Sequence, residues 1–370
     1  MNNREAFELL LAKGVVDVRR SSLFDTAPPP LGAGFSWDRI EGMMLGLAVG
    51  DSLGIPTEAK LPAERRRRHG EIRDYLPNRH VRPVPGRPAM GYPSDDTQLA
   101  FWTLDQMVED RGLVPERVAR RFTRDRIYGL GSAVRAFLDD IRSGKAWFLC
   151  GQPSAGNGAL MRIAPVVIPH LRAPTPALWA DTALCAFITH NDTASIAACL
   201  SFTRMLWDLL GMRAPPEPAW WVSRFVETAR DLETPKAYAV RGGSFVGWQG
   251  PLSKFVLEKV TAAHARGLGV LEACNEWHSG AFLLETVPCV LYILAKHAHD
   301  PEEALVRAVN DTRDNDTVAA IVGAAIGALH GRRGIPARWV ERLTGRTTDR
   351  DDGKAFEILA RARGLWDPGP

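Results

Sequence analysis

Residues 37–54 read WDRIEGMMLGLAVGDSLG. Apolar side chains fall on every side of a 3.6-residue turn, so the stretch reads as a helix buried all round rather than one with a wet face. Gly42, Gly46 and Gly50 recur at every fourth position, which sets all three on one face. A face bare of side chains permits another helix to pack closely against it inside a core. A helical core is therefore the first expectation for the fold.

The rest of the chain agrees with that expectation. Helical apolar periods recur over about 97–110, 115–125, 132–142, 158–169, 176–188, 193–211, 218–231, 251–265, 279–298, 301–310, 316–330 and 335–343. Pro115, Pro176 and Pro301 stand at starts, where a missing N–H is tolerated. Alternation with period two is nearly absent, and no internal repeat stands out. Residues 60–93, rich in Pro, Arg and Gly, read as loop. Residues 1–36 read as an extension: 4–12 fits a short amphipathic helix, and TAPPPLGAG at 26–34 reads as a linker. The expected architecture is one all-α domain over residues 37–366 behind that extension.

Composition narrows the functional classes. The chain has 370 residues, a formal charge of +3, 45% hydrophobic and 24% charged residues, which is ordinary for a globular protein. Near-neutral charge argues against nucleic-acid binding. The one dense basic block, Arg65 to Arg68, reads as a solvated loop or helix face. Five cysteines without a C-x-x-C read as buried reduced thiols. MNNREAFELL carries no signal-peptide pattern. No apolar run reaches the roughly 20 residues that a membrane span needs. A soluble cytoplasmic protein is expected.

Two knots of acid carry the chemistry. VNDTRDNDTVAA spans residues 309–320 and holds Asp311, Asp314 and Asp316; YPSDDTQLA holds Ser94, Asp95 and Asp96. Each precedes a helical run, and each alone is explained by an N-cap. Together they carry more acid than two caps require. The helix after Asp316 is almost purely Ala, Ile, Val and Gly, so its start is expected in a buried cleft. Unpaired buried carboxylates cost several kcal/mol each, whereas a helix N-terminus returns only about 0.3–1 kcal/mol. A stronger positive charge is needed. Four carboxylates with the hydroxyls of Ser94 and Thr317 make an all-oxygen set, which suits Mg²⁺, Mn²⁺ or Ca²⁺ rather than zinc. Two divalent ions would balance the four charges. An EF-hand does not fit, because its glycine and distant glutamate are missing.

Three further stretches stand out. GQPSAGNGALMRIAPV places Gly151, Gly156, Asn157 and Gly158 ahead of an expected helix at about Ala159. Such a turn can aim N–H groups at a phosphate, though simple chain reversal explains it as well; it is not a Walker loop. THNDTASIAA sets His190 and Asp192 between two apolar helices, where a histidine is more often a buried hydrogen-bonding group than a catalyst. GDSLGIPTEA ends the first helix on Asp51, against its dipole, with Glu58 close behind.

GMMLGLAVGDSLGIPTE, YPSDDTQLA, GNGALMRIAPV, THNDTASIAA and DNDTVAAIVGAAIGALHG occur in this order between about Ile40 and Gly331. The set resembles the ADP-ribosylglycohydrolase family. That resemblance implies an all-α hydrolase with a binuclear Mg²⁺ or Mn²⁺ centre, removing ADP-ribose from modified protein side chains, arginine first among them. It implies Ser94, Asp95, Asp96, Asp314, Asp316 and Thr317 as metal ligands, with Asp95, Asp96 or Glu58 as proton-transfer groups. Gly156, Asn157, Gly158, Met161 and His190 would line the ADP-ribose cleft. Ser94 stands where the family usually has Thr. Thr312 and Arg313 stand where many members have glycines, which brings Arg313 into the expected substrate set. The expected partner is an ADP-ribosylated protein. Alternatives are an immunity-type protein blocking an ADP-ribosylating toxin through residues 1–36, and a hydrolase of O-linked ADP-ribose.

Overall fold

A computed structural model of the chain describes every residue except 33, 79, 80 and 370. The fold is built from helices. In chain order they are α1 (Asn3–Ala12), α2 (Trp37–Gly54), α3 (Pro62–His69), α4 (Asp95–Asp110), α5 (Pro115–Arg121), α6 (Ser132–Arg142), α7 (Ala177–Phe187) and α8 (Thr193–Gly211). There follow α9 (Pro218–Leu232), α10 (Leu252–Ala265), α11 (Val270–Glu276), α12 (Leu283–His297), α13 (Pro301–Asp311), α14 (Asn315–His330), α15 (Ala337–Arg342) and α16 (Lys354–Trp366). A two-residue antiparallel ladder, β1 (Tyr238–Ala239) with β2 (Gln249–Gly250), is the one small sheet among the described residues. The all-α expectation holds. No helix of the described residues is long and apolar enough to cross a membrane.

The core is centred on α2 and α14, which run antiparallel with their backbones in contact. A Cβ on Gly46 would collide with the Gly323 carbonyl, and one on Gly50 with the Ala319 backbone. A Cβ on Gly42 would meet the backbone at Gly327 and Gly331. The same row ends at Gly54, where a Cβ would overlap Asp316. Residues 42–54 and 315–329 are buried throughout. α4, α8, α12 and α13 close around α14. The bare face therefore sets helix spacing in the core and also brings the start of α14 against the end of α2.

Some elements differ from the sequence expectation. The run at 158–169 forms two short 3₁₀ segments, Leu160–Arg162 and Ala164–His170. Pro165 and Pro169 lie in it and remove the N–H groups a regular α-helix needs. The stretch read as loop contains α3, opened by Pro62; α11 and α16 also went unread. The N-terminal segment is packed: Phe7, Val16, Val18 and Phe24 join the core, and Asn191 bridges the Asp17 N–H and the Val15 carbonyl. All five cysteines are buried and free.

Candidate active site

The two acid knots meet across the N-termini of α4 and α14. Ser94 is the N-cap of α4, and Asp95 and Asp96 form its first turn. Asp314 is the N-cap of α14, with Asp316 and Thr317 in its first turn. Ser94 Oγ lies 3.2 Å and Thr317 Oγ1 3.5 Å from the same oxygen, Asp96 Oδ2. One oxygen each of Glu58, Asp314 and Asp316 lie within 4.8 Å of one another, as do those of Asp51, Asp96 and Asp316. Asp316 belongs to both triads.

Asp51 explains its position against the helix dipole. Its carboxylate accepts the Ser94 N–H at 2.9 Å, the Thr97 N–H at 3.0 Å and the Thr97 hydroxyl at 2.6 Å. It caps α4 from a different helix and fixes the 94–97 knot against the end of α2. Those bonds fall mainly on Oδ2, so Asp51 anchors the start of α4 within the cluster. Asp314 is held by the Asn157 amide at 2.5 Å, which also donates to Thr286 Oγ1 at 3.0 Å. Asp311 stands outside the cluster and pairs with Arg307 at 3.2 Å.

Burial and crowding keep these carboxyls protonated to unusually high pH. Burial, and next the Asp51 charge, push Asp95 up to about 7. Burial pushes Asp314 to about 7 against the opposing bond from Asn157, and Asp51 to about 6 against those from Thr97 and Ser94. Asp96 and Asp316 are raised further, by burial and then by neighbouring carboxylates. Asp96 Oδ1 and Asp316 Oδ1 are buried without a hydrogen-bond partner. An all-oxygen donor set with two orphaned carboxylate oxygens fits a hard divalent cation, and the cluster can hold one.

The raised values carry a stability sign. Each folded-state value lies above the usual carboxylate value near 3.9, so the metal-free fold binds more protons than the unfolded chain between about pH 4 and 7. The stability from these groups is complete below about pH 4 and is lost as pH rises through about 6 to 7, by on the order of a few kcal/mol. In excess chelator, Tm is expected to fall from pH 5 to 8, and a divalent cation is expected to restore it mainly at the upper end. A cation-induced shift equal at pH 5 and 8 would contradict this.

A cleft of about 470 Å³ opens over the cluster, lined by Glu58, Asp95, Asp96, Asp314, Asp316 and Thr317 on one side. Gly156, Asn157, Gly158, Met161 and His190 line the other. The glycine loop has no α-helix behind it. It is pinned instead, with the Asn157 N–H on the Ala281 carbonyl at 3.1 Å and Ser195 Oγ donating to the Ser154 and Gly156 carbonyls. His190 is buried, and burial with the nearby Arg162 charge pushes it down to about 3, so it is neutral. Arg162 donates to Thr189 Oγ1 at 2.9 Å, which leaves the Thr189 proton for His190 Nδ1 at 2.8 Å. The imidazole then carries its proton on Nε2, beside Gly156 and Gly158.

The structure does not bring Arg313 into this cleft. Its backbone and that of Asp314 both donate to the Ser279 carbonyl, but its side chain reaches His278 at 3.5 Å and lines a separate pocket with Arg66 and Arg307. Thr312 is turned inward, its hydroxyl on the Ala308 carbonyl at 2.6 Å.

Other side chains at the site had no sequence signal. Among the described residues, Arg241 is the one Lys or Arg lining the cleft. Glu285 grips it at 3.0 Å through both carboxylate oxygens, and its guanidinium lies 4.3 Å from the Phe282 ring centre. Arg65 corrects the reading of the basic run as solvated. Arg66 to Arg68 are exposed, but Arg65 is 1% exposed and donates to Thr57, Lys60, Asn310 and Thr312. It ties the loop bearing Glu58 to the end of α13.

The chain's likeness to known proteins agrees with this geometry. The family described as ADP-ribosylglycohydrolase matches residues 35–368. ADP-ribosylarginine hydrolase Tri1 of Pseudomonas putida is 26% identical over 320 residues, covering 83% of this chain and 74% of that protein. The ADP-ribosyl-dinitrogen reductase glycohydrolase of Rhodospirillum rubrum is 26% identical over 336 residues, covering 89% and 97%. A solved ADP-ribosylglycohydrolase-related protein superposes with a TM-score of 0.60 at 25% identity, over 89% of this chain and 97% of that one. With the family matched across nearly its whole length, the chain belongs to the ADP-ribosylglycohydrolases.

Proposed function

We propose that this protein is a metal-dependent hydrolase that removes ADP-ribose from modified arginine side chains of proteins. One observation carries the reading: Glu58, Asp95, Asp96, Asp314 and Asp316, two of them with orphaned oxygens, line one side of a cleft whose facing wall is a pinned glycine loop. Ser94, Asp95, Asp96, Asp314, Asp316 and Thr317 would hold two divalent cations, Mg²⁺ or Mn²⁺, which would supply Lewis-acid polarisation of ribose hydroxyls and of the attacking water.

The chain's own groups do the rest. Breaking the glycosidic bond builds positive charge on the ribose, which the surrounding carboxylates stabilise. Asp95 and, at the rim, Glu58 both line the cleft, and either carboxylate can take the proton of an attacking water. Asp96 holds the hydroxyls of Ser94 and Thr317 in place. Neutral His190 offers an N–H beside the glycine loop, and Met161 supplies apolar wall. Arg241, a cation lining the cleft where Arg313 does not, would contact the substrate's diphosphate.

Arg241→Met is expected to raise KM for ADP-ribosyl-arginine by roughly tenfold, the worth of one charged hydrogen bond, with kcat little changed. An unaltered KM would remove Arg241 from the substrate wall. The activity itself is tested by metal-dependent release of ADP-ribose from arginine-linked and serine-linked substrates side by side. Full release in excess chelator removes the metal reading; release from serine alone replaces the arginine assignment with the O-linked one. The toxin-blocking alternative draws no support from residues 1–36, where Phe7, Val16, Val18 and Phe24 are packed into the core.

A further inference from the structure

Two cavities meet at the carboxylate cluster. Glu58 and Gly129 form walls of the cleft described above and also of a second cavity of about 950 Å³ on the far side. Ser94 lines that second cavity, one residue from Asp95. Gly129 makes the junction possible, since a Cβ there would run into the Asp95 carboxylate. On the proposed reading, ADP-ribose fills the glycine-loop side and its glycosidic bond sits over the cluster. The leaving side chain then points across Glu58, and the polypeptide that carries it must lie beyond.

The second cavity has a built floor and a charged edge. Arg346, with 2% of its side chain exposed, lies 4.7 Å from the Tyr92 ring centre and 4.4 Å from that of Tyr128. Tyr128 Oη and Arg346 Nε are buried there without a hydrogen-bond partner. The acids of this cavity beyond Glu58 are engaged. Asp351 accepts from Thr347 and Thr348, Asp352 pairs with Arg87 at 2.7 Å, and Asp349 lies 3.8 Å from Arg346. The bases of the rim are not matched in this way. Lys60 and Arg82 have no ion pair among the described residues, and Arg350, 87% exposed, approaches only Asp125 at 3.7 Å. Among the described residues, Lys60, Arg82, Arg126, Arg346 and Arg350 line the cavity against Glu58, Asp349, Asp351 and Asp352, so its bases outnumber its acids.

We infer that this second cavity is the docking groove for the polypeptide bearing the modified side chain, and that it favours chains with acidic residues beside the modification. The inference rests on the hydrolase reading above and deepens it. Peptides with a single ADP-ribosylated arginine, flanked by either acidic or basic residues, test it together with free ADP-ribosyl-arginine. The variant is Lys60→Glu with Arg82→Glu and Arg350→Glu, all outside the metal and ADP-ribose walls. KM for the acid-flanked peptide is expected to rise roughly tenfold, preference is expected to move to the base-flanked peptide, and kcat/KM on free ADP-ribosyl-arginine is expected to stay unchanged. Unchanged peptide kinetics, or an equal loss on all three substrates, overturns the groove while leaving hydrolysis standing. If the native protein releases ADP-ribose from none of them, the hydrolase reading falls and the groove with it.

Discussion

Asp316→Asn is expected to lower metal-dependent release of ADP-ribose at least roughly a hundredfold, because even outer-shell partners of metal ligands are worth about 10–100-fold. Asp316 is the residue shared by both carboxylate triads. The same variant is expected to raise Tm of the metal-free protein at pH 8. Burial, and then the charges of Glu58, Asp314, Asp96 and Asp51, push the Asp316 carboxyl upward, so a neutral amide there spares the bare fold the cost of ionising it. The stabilisation conferred by Mn²⁺ should shrink in parallel. Activity, chelated Tm and the Mn²⁺-induced Tm shift together check the idea; a variant with native turnover, or one destabilised in chelator, would exclude the assignment of Asp316 to a metal cluster.

Gly46→Leu is expected to leave no folded protein. The new side chain would be driven into the Gly323 carbonyl of α14, and a helix backbone cannot rotate away as a side-chain tip can. Overpacking usually costs about 1–3 kcal/mol where side chains can move; here the helices themselves must separate, against a total margin of about 5–15 kcal/mol. Gly46→Ala should still fold, with a lower Tm and weaker Mn²⁺ binding, since the same glycine row ends against Asp316. Gly364→Ala serves as the control. It lies in α16 with nothing within 4 Å of its Cβ position, and is expected to stabilise by about 0.5–1 kcal/mol. Soluble, cooperative unfolding of Gly46→Leu at the native Tm would refute the close crossing.

Residues that act through their neighbours in the chain were legible. The four-residue glycine spacing in 37–54 announced a backbone-close helix. The knots 94–96 and 314–317 announced carboxylates at helix starts, because capping and helix period are local properties. Even the misread 158–169 run failed for a local reason, its two prolines. The order of five such motifs was enough to name the family.

What the tertiary structure decided is which distant groups face one another. Asp51 caps a helix that starts 44 residues later, Asn157 holds Asp314, and Arg65 leaves an exposed basic face to brace the loop bearing Glu58. Arg241 enters the cleft while Arg313, beside a candidate ligand in sequence, points out of it. Residue type and spacing state what a side chain can do over one or two turns. Its partner across the core depends on how helices cross, and that is fixed by packing summed over the whole molecule.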